Sequence, residues 1–162
     1  AMLSHHTSLD RLVVELNENV QDRAQGERFI TLFIGIVDTI TGTMRYVNAG
    51  HNPPMLLRDG TISELTDGAI ALGMLPQLPF VRVGEAKVSG GTLISYTDGL
   101  VEQEDVYGSE FGTEPLKRTL LQFAPGGPAT VNEALIATFE AHRAGLPYLD
   151  DIALLTCRFA QH

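Results

Sequence analysis

One stretch decides the fold of this chain: Gly91-Thr92-Leu93-Ile94-Ser95-Tyr96-Thr97-Asp98-Gly99-Leu100-Val101-Glu102. A short apolar and β-branched run that follows turn residues is typical of a buried strand. The strand ends in Asp98-Gly99, so a carboxylate is expected at a strand terminus where the backbone turns sharply. Strand ends are rigid, and ligand-binding side chains are commonly mounted there.

A second acidic pair lies near the C-terminus. Asp150 and Asp151 directly precede residues 152–157, which have the composition of a strand. Two strands with carboxylates at their ends favour cation binding, because Mg²⁺ and Mn²⁺ take oxygen ligands and need only a few rigid carboxylates. Each acid also has an ordinary explanation, since Asp-Gly after a strand is commonly a turn and Asp-Asp before a strand is commonly a solvated loop.

The composition limits the class of protein. The chain has 162 residues, 44% hydrophobic and 19% charged, which predicts one globular domain over residues 1–162. The net charge of −9 argues against nucleic-acid binding, which needs a basic surface. No apolar run approaches the roughly 20 residues that span a bilayer, and the N-terminus lacks a signal-peptide pattern. The single cysteine, Cys157, is expected to be a small buried residue, and a cytoplasmic setting fits.

The first half of the chain has the periodicity of a helix followed by antiparallel strands. Thr7 and Asp10 have capping-box spacing and open a helix that ends near Gln25-Gly26. Alternating apolar residues then predict strands, with hairpin turns at Gly42 and at Asp59-Gly60. The apolar helix stripe is Leu9, Leu12, Val13, Leu16 and Val20, and the strands are 29–37, 44–47, 55–57, 61–65, 79–88 and 92–97, the last two forming a pair.

The second half is predicted to be mainly helical. One helix begins at Thr113-Glu114-Pro115 and runs through Phe123, with proline in its first turn. Another begins with a capping box of Thr130 and Glu133 and ends at Gly145. Strands followed by helices, without strand–helix–strand alternation, favour the α+β class over a doubly wound sheet.

Four segments occur in an order that resembles a known family. They are Thr31-Leu32-Phe33, Asn48-Ala49-Gly50-His51-Asn52-Pro53-Pro54, Tyr96-Thr97-Asp98-Gly99-Leu100-Val101-Glu102 and Asp150-Asp151-Ile152-Ala153-Leu154-Leu155. Over nearly its whole length the chain resembles the sporulation stage II E and stress-response phosphatases of bacteria, a branch of the PPM superfamily of metal-dependent serine/threonine protein phosphatases. The resemblance implies an α/β/β/α sandwich, in which two antiparallel sheets are flanked by helices.

The resemblance also implies a reaction. Such enzymes use paired Mn²⁺ or Mg²⁺ ions to hold and acidify a water that attacks phosphorus in line, without a phosphoenzyme. Their substrates are phosphoserine or phosphothreonine on small anti-sigma-factor antagonist proteins. The metal ions are the only catalytic groups that the resemblance assigns.

Individual residues take roles from the resemblance. Asp98 and Asp150 match the family's metal ligands. Asp151 is expected to be a neighbour that orients Asp150, and Gly99 is expected to let the backbone turn tightly beside the ion. His51 is expected to shape its loop rather than to contact phosphate.

The chain departs from the family before its first strands. In the family, further metal-binding aspartates come earlier, in a Gly-Asp-containing strand and an Asp-Gly-x-Gly-x-Gly hairpin. Nothing upstream of Asp38 matches those motifs. The chain is therefore expected to be truncated on its N-terminal side relative to the family, to lack half of the metal ligands, and to have little or no activity alone.

Two further hypotheses stay open. Missing strands would leave sheet edges unpaired, and such edges invite pairing with another copy. The chain would then be a catalytically incomplete fragment or pseudophosphatase that forms a homodimer or binds a partner. The other hypothesis is an unrelated module that binds a metal through oxygen ligands.

Overall fold

The structure, a computed structural model, describes residues 8–24 and 28–161. Helices and mostly antiparallel strands are both present, which confirms the α+β class. None of the helices in these described ranges is long and apolar enough to cross a membrane. The elements follow in the order α1 (Leu9–Ala24), β1 (Leu32–Asp38), β2 (Thr43–Ala49), β3 (Met55–Arg58), β4 (Thr61–Glu64), β5 (Gly68–Ala69), β6 (Gly84–Lys87), β7 (Thr92–Tyr96), α2 (Asp98–Val101), α3 (Glu114–Phe123), a 3₁₀ turn (Ala124–Gly126), α4 (Pro128–Arg143) and β8 (Leu154–Arg158).

One compact unit comprises the residues up to His51 together with Leu65–Lys87. Its sheet is built around β2, which pairs antiparallel with β1 and β6 and parallel with β5. The apolar stripe predicted for α1 is confirmed, because it faces this unit's core. The predicted start of the helix at Thr7 lies outside the described residues. The core consists of Leu9, Val13, Val47, Ala49 and Leu72, with Leu12, Leu16, Val20, Leu32 and Ile34 packed against it.

The second compact unit comprises Asn52–Glu64 and the residues from Val88 onward. Its sheet has the strand order β4-β3-β7-β8, and every neighbouring pair is antiparallel. The two central strands and the three helices α2, α3 and α4 share one apolar core. Its buried members include Met55, Ile94, Tyr96, Leu100, Leu116, Leu120, Val131, Leu135 and Phe139.

Two hairpin predictions are confirmed, and one strand pairing is wrong. The turns have positive φ at Gly42 (66°) and at Asp59 and Gly60 (50° and 76°), as the turn residues predicted. The pairing expected between residues 79–88 and 92–97 does not form, because β6 pairs with β2 while β7 pairs with β3 and β8. A central strand such as β7, which is buried almost throughout, needs partners on both edges, and here both come from elsewhere in the chain.

The start predicted for α4 is also wrong. The helix begins at Pro128 after Gly127, so Thr130 lies within its first turn and cannot be the cap. The Thr130 hydroxyl instead donates to the Gly126 carbonyl at 3.0 Å. Proline is favoured in a first helical turn, since the N–H that it lacks has no partner there. At the other end the helix stops at Arg143, and Ala144 takes the left-handed conformation just before Gly145.

Strands β1 and β8 are two of the strands at sheet edges. Among the described residues, β1 pairs only with β2, and β8 pairs only with β7. Both carry exposed apolar side chains: Ile36 of β1 is 49% exposed and Leu155 of β8 is 58% exposed. Cys157, predicted to be buried, is only half-buried on β8, since an edge strand is covered from fewer directions.

Candidate functional site

Asp98 is the first residue of the short helix α2 and is separated from the end of β7 by Thr97 alone. Its side chain is exposed, and the N–H of Gly99 donates to the Oδ1 atom of Asp98 at 3.0 Å. The strand-end position agrees with the prediction, but a helical turn replaces the sharp turn that Asp-Gly suggested. The carboxylate is therefore mounted on a helical turn that Leu100 anchors in the core.

Asp150 and Asp151 lie in the exposed segment that leads into β8. The N–H of Asp151 donates to the Oδ1 atom of Asp150 at 2.7 Å. This bond holds one oxygen of the Asp150 carboxylate and limits its rotation. That Asp151 orients Asp150 at a metal stays a prediction.

Thr97 connects the two acidic segments. Its hydroxyl donates to the Asp151 carbonyl at 3.0 Å and accepts from the Ala153 N–H at 2.9 Å. The N–H of Thr97 also donates to the Ala153 carbonyl at 3.1 Å. Because Asp98 follows Thr97 and Asp150 precedes Asp151, these bonds bring the two predicted metal ligands into neighbouring positions.

Gly99 lies at a close approach of the two segments. A Cβ atom on residue 99 would be 2.6 Å from the Asp151 carbonyl oxygen and 3.2 Å from the Cβ atom of Asp150. The reason predicted for glycine here is wrong, since Gly99 is part of α2 and its φ is not positive. Glycine is needed because another backbone passes within contact distance.

Gln103 was missed by the sequence analysis. Its side chain is buried (1% exposed) just beyond α2. The Nε2 atom donates to the carbonyls of Glu104 at 3.1 Å and Pro147 at 3.3 Å, and Oε1 accepts from the Leu149 N–H at 3.2 Å. No periodic signal could have identified this residue, since it belongs to no regular element and its partners at 147 and 149 are distant in sequence.

A charged cluster of Glu140, Arg143 and Tyr148 holds the start of the segment that leads to Asp150. The Tyr148 hydroxyl donates to Oε1 of Glu140 at 2.9 Å, and the Arg143 guanidinium donates to Oε2 and lies over the Tyr148 ring, 4.4 Å from its centroid. The hydrogen bond from Arg143, followed by that from Tyr148, lowers the pKa of Glu140. The stabilisation from this cluster is therefore fully present above the ordinary glutamate pKa and is lost as pH falls through the lowered pKa of Glu140.

A cavity of about 480 Å³ opens beside the two C-terminal acids. Its lining combines apolar side chains with the carboxylates of Glu140, Asp150 and Asp151. Its lining residues are Leu100, Ile136, Phe139, Glu140, Tyr148, Asp150, Asp151, Ile152 and Leu154.

The donor set fits part of the shell of a hard divalent cation. Carboxylate oxygens are the ligands that Mg²⁺ and Mn²⁺ prefer, and Mg²⁺ is commonly bound through one or two carboxylates with several waters. Within residues 8–24 and 28–161, no group of three or more acidic, histidine or cysteine side chains is placed to hold a metal. As candidate ligands, Asp98 and Asp150 would supply two carboxylates, fewer than two bound ions require.

The loop after β2, in the other unit, is organised by Asn48. This buried side chain donates from Nδ2 to the Leu65 carbonyl at 3.1 Å, and its Oδ1 accepts from the His51 N–H at 2.8 Å. These two hydrogen bonds of Asn48 hold the loop that contains His51. That His51 acts through loop shape rather than on phosphate stays a prediction.

Comparison with known proteins gives matches at three levels. The family model for Stage II sporulation protein E (SpoIIE) matches residues 1–160. Protein IcfG of Synechocystis sp. is 36% identical over 94 residues, which are 57% of this chain and 15% of IcfG. This chain therefore spans only a small part of the length of that relative.

Two solved structures share the fold. The SiaA-PP2C domain of Pseudomonas aeruginosa has a TM-score of 0.79 at 22% identity, over 93% of this chain and 60% of that one. The phosphatase domain of the cell fate determinant SpoIIE from Bacillus subtilis, Mn presoaked, has a TM-score of 0.66 at 16% identity, over 98% and 76%. Because the family model matches nearly the whole chain and the fold agrees with that of a PP2C domain, this chain belongs to the SpoIIE family and has the PP2C-type, that is PPM-type, phosphatase fold.

Proposed function

We propose that this domain acts in the metal-dependent dephosphorylation of a serine or threonine phosphoprotein, with Asp98 and Asp150 as ligands of Mn²⁺ or Mg²⁺. The observation that carries the proposal is the contact of Gly99 with the backbone of Asp150 and Asp151, which joins two carboxylate-bearing segments. Membership of the SpoIIE family supports the reaction, and the Mn presoak of a relative supports the cation.

The residues present orient the two carboxylates. Gly99 and Asp151 each donate a backbone N–H to one oxygen of Asp98 and Asp150, respectively, so both carboxylates are restrained. When bound, Mn²⁺ or Mg²⁺ would supply a Lewis acid that polarises a phosphoryl oxygen and lowers the pKa of a bound water. Thr97 keeps the two segments at a constant separation through its bonds to Asp151 and Ala153.

Two carboxylates are fewer than a two-metal centre needs. We therefore propose that the other ligands come from outside these residues, either from the rest of a longer polypeptide or from a second chain. Residues 1–162 would then act as a single phosphatase-like domain that is N-terminally truncated relative to the family. Little turnover is expected from these residues alone.

The substrate and setting follow from the resemblance. The proposed substrate is a phosphorylated anti-sigma-factor antagonist, and the proposed setting is bacterial sigma-factor regulation. The proposed location is the cytoplasm, where such partners are found.

Asp98→Asn tests the metal assignment. The change removes a charge from the proposed ligand while keeping its shape, so we expect Mn²⁺ binding to weaken about tenfold with little change in folding. Mn²⁺ affinity is measured by paramagnetic broadening of amide signals, and turnover by p-nitrophenyl phosphate hydrolysis with and without Mn²⁺. Any Mn²⁺-dependent turnover should be lost in the variant.

The matched control is Asp59→Asn, which makes the same chemical change at an exposed turn of the β3–β4 hairpin. Asparagine is well tolerated there, so affinity and turnover should equal those of the unchanged protein. If Asp98→Asn retained the affinity and turnover of the Asp59→Asn control, the metal assignment would be wrong.

The second candidate function is a dimerising or partner-binding module, which the exposed edge strands favour. Leu155 lies on the β8 edge and Ile36 on the β1 edge, and apolar unpaired edges invite strand addition. Light scattering after size-exclusion chromatography should then show a dimer. Leu155→Lys should shift it to monomer, because a lysine on an edge strand opposes pairing.

Ile40→Lys is the control for that experiment. Ile40 is 90% exposed in the β1–β2 turn, so its replacement removes apolar surface without touching an edge. A monodisperse monomer from the unchanged protein, or equal masses for both variants, would count against edge pairing.

A further inference from the structure

We propose that Gln103 is a positioning residue that holds Asp150 in register with Asp98. The inference rests on the proposed function, since it concerns the same two carboxylates. Gln103 is five residues beyond Asp98, and its amide bonds to residues 147 and 149, immediately before Asp150.

The geometry of two chain segments carries the inference. Residues 97–103 contact residues 147–153 at both ends. At one end Thr97 bonds to Asp151 and Ala153, and at the other end Gln103 bonds to Pro147 and Leu149. Asp150 lies between these two attachments, so its backbone is restrained from both sides relative to the segment that carries Asp98.

The backbone of Gln103 is itself held. Its carbonyl accepts from the Phe111 N–H at 2.9 Å, and the His142 Nε2 atom lies 3.1 Å from the same oxygen. His142 Nε2 also lies 3.0 Å from the Ser109 carbonyl, and the ring packs edge-on against Phe111. A fixed backbone and a fully buried amide, away from competing water, make Gln103 a rigid link between the two segments.

A purely structural role is the alternative, and Asn17 provides a matched comparison. Asn17 is equally buried (1% exposed) and also uses its amide to hold a loop. It donates to the carbonyls of Leu75 and Pro76 and accepts from the Gly73 N–H. Because this amide lies in the other compact unit, Asn17→Leu should disturb its own loop and leave Asp150 unchanged.

The first measurement is amide hydrogen exchange in the metal-free protein. Gln103→Met removes all three side-chain bonds, so exchange at Leu149 and Asp151 should accelerate roughly tenfold relative to Asn17→Leu. Gln103→Asn keeps an uncharged amide that is one methylene shorter, so the bonds to Pro147 and Leu149 are weakened rather than removed. It should accelerate exchange only about threefold, and it keeps the test decisive if Gln103→Met does not fold.

The second measurement is Mn²⁺ titration of the same variants, followed by broadening of the amide signals of residues 98–99 and 150–151. We expect the midpoint to rise about fivefold in Gln103→Met, less in Gln103→Asn, and not at all in Asn17→Leu. Unchanged exchange at Leu149 and Asp151 would overturn the inference. Faster exchange with an unchanged Mn²⁺ midpoint would also overturn it, because Gln103 would then be structural only.

The two proposals fail in different ways. If Mn²⁺ leaves the signals of residues 98–99 and 150–151 unaffected in the unchanged protein, the cation assignment in the proposed function is wrong, and the positioning inference, which rests on it, falls with it. If Mn²⁺ broadens those signals equally in all variants, the cation assignment stands and the positioning role of Gln103 is refuted.

Discussion

Gly68→Ala is expected to destabilise the unit that contains β2 by about 3 kcal/mol or more, since the added methyl group meets backbone rather than a movable side chain. A Cβ atom on residue 68 would lie 1.7 Å from the Asn48 carbonyl oxygen and 2.6 Å from the Asn48 nitrogen. No rotamer change can relieve an overlap with backbone atoms. The parallel pairing of β5 with the end of β2 should therefore be lost.

The loss should extend to the loop that follows β2. Asn48 donates its N–H to the Asp67 carbonyl and its side-chain amide to the Leu65 carbonyl, and both partners lie just before Gly68. When β5 separates from β2, these bonds are lost as well. The Asn48–His51 loop would then lose part of the contact that shapes it.

Urea unfolding followed by circular dichroism measures this effect. Gly60→Ala is the control, because a Cβ atom there meets nothing within 4 Å while φ is 76°. That control should cost only the left-handed strain of roughly 1–2 kcal/mol. Equal losses of unfolding free energy for the two variants would show that the close approach of β5 to β2 does not occur in solution.

Gly99→Ala is the second change with a large expected effect, and it acts on the candidate site. The added Cβ atom would lie 2.6 Å from the Asp151 carbonyl oxygen, which already accepts the Thr97 hydroxyl. Relief requires the segment of Asp150 and Asp151 to move away from α2. We expect a loss of about 2 kcal/mol in unfolding free energy and an at least tenfold weaker Mn²⁺ affinity.

Calorimetric unfolding and Mn²⁺ titration separate these two effects. Gly108→Ala is the control in the same unit, since a Cβ atom there also meets nothing within 4 Å and φ is 78°. It should lower stability through backbone strain alone and leave Mn²⁺ affinity unchanged. An affinity for Gly99→Ala equal to that of Gly108→Ala would mean that Asp98 and Asp150 do not share a cation.

Much of the local structure could be predicted from the sequence. Alternating apolar residues identified β1 and β2, and the turns at Gly42 and Asp59-Gly60 joined the correct strands. The stripe on α1 and the proline at the start of α3 identified those helices and one buried face. These features depend on residues within a few positions of one another, where periodicity and turn chemistry act.

The positions of the candidate acids were predicted in part, and their roles as metal ligands stay proposals. Asp98, Asp150 and Asp151 were identified from strand-end carboxylates and from the resemblance, and the structure brings their segments together. The contribution of Gln103 was missed, because a buried amide outside any regular element leaves no pattern. Its role depends on partners 44 and 46 residues later in the chain.

The sequence by itself determined the α+β class, the main hairpins, the amphipathic helices and the two acidic segments, since short-range periodicity and turn chemistry specify them. Only the tertiary structure decided that β6 and β7 belong to different sheets, that Gly68 joins β5 to β2, and that Gly99 must lack a side chain. The physical reason is the same in each case. Strand partners and close backbone approaches are selected by packing between residues far apart in the chain, which no local pattern records.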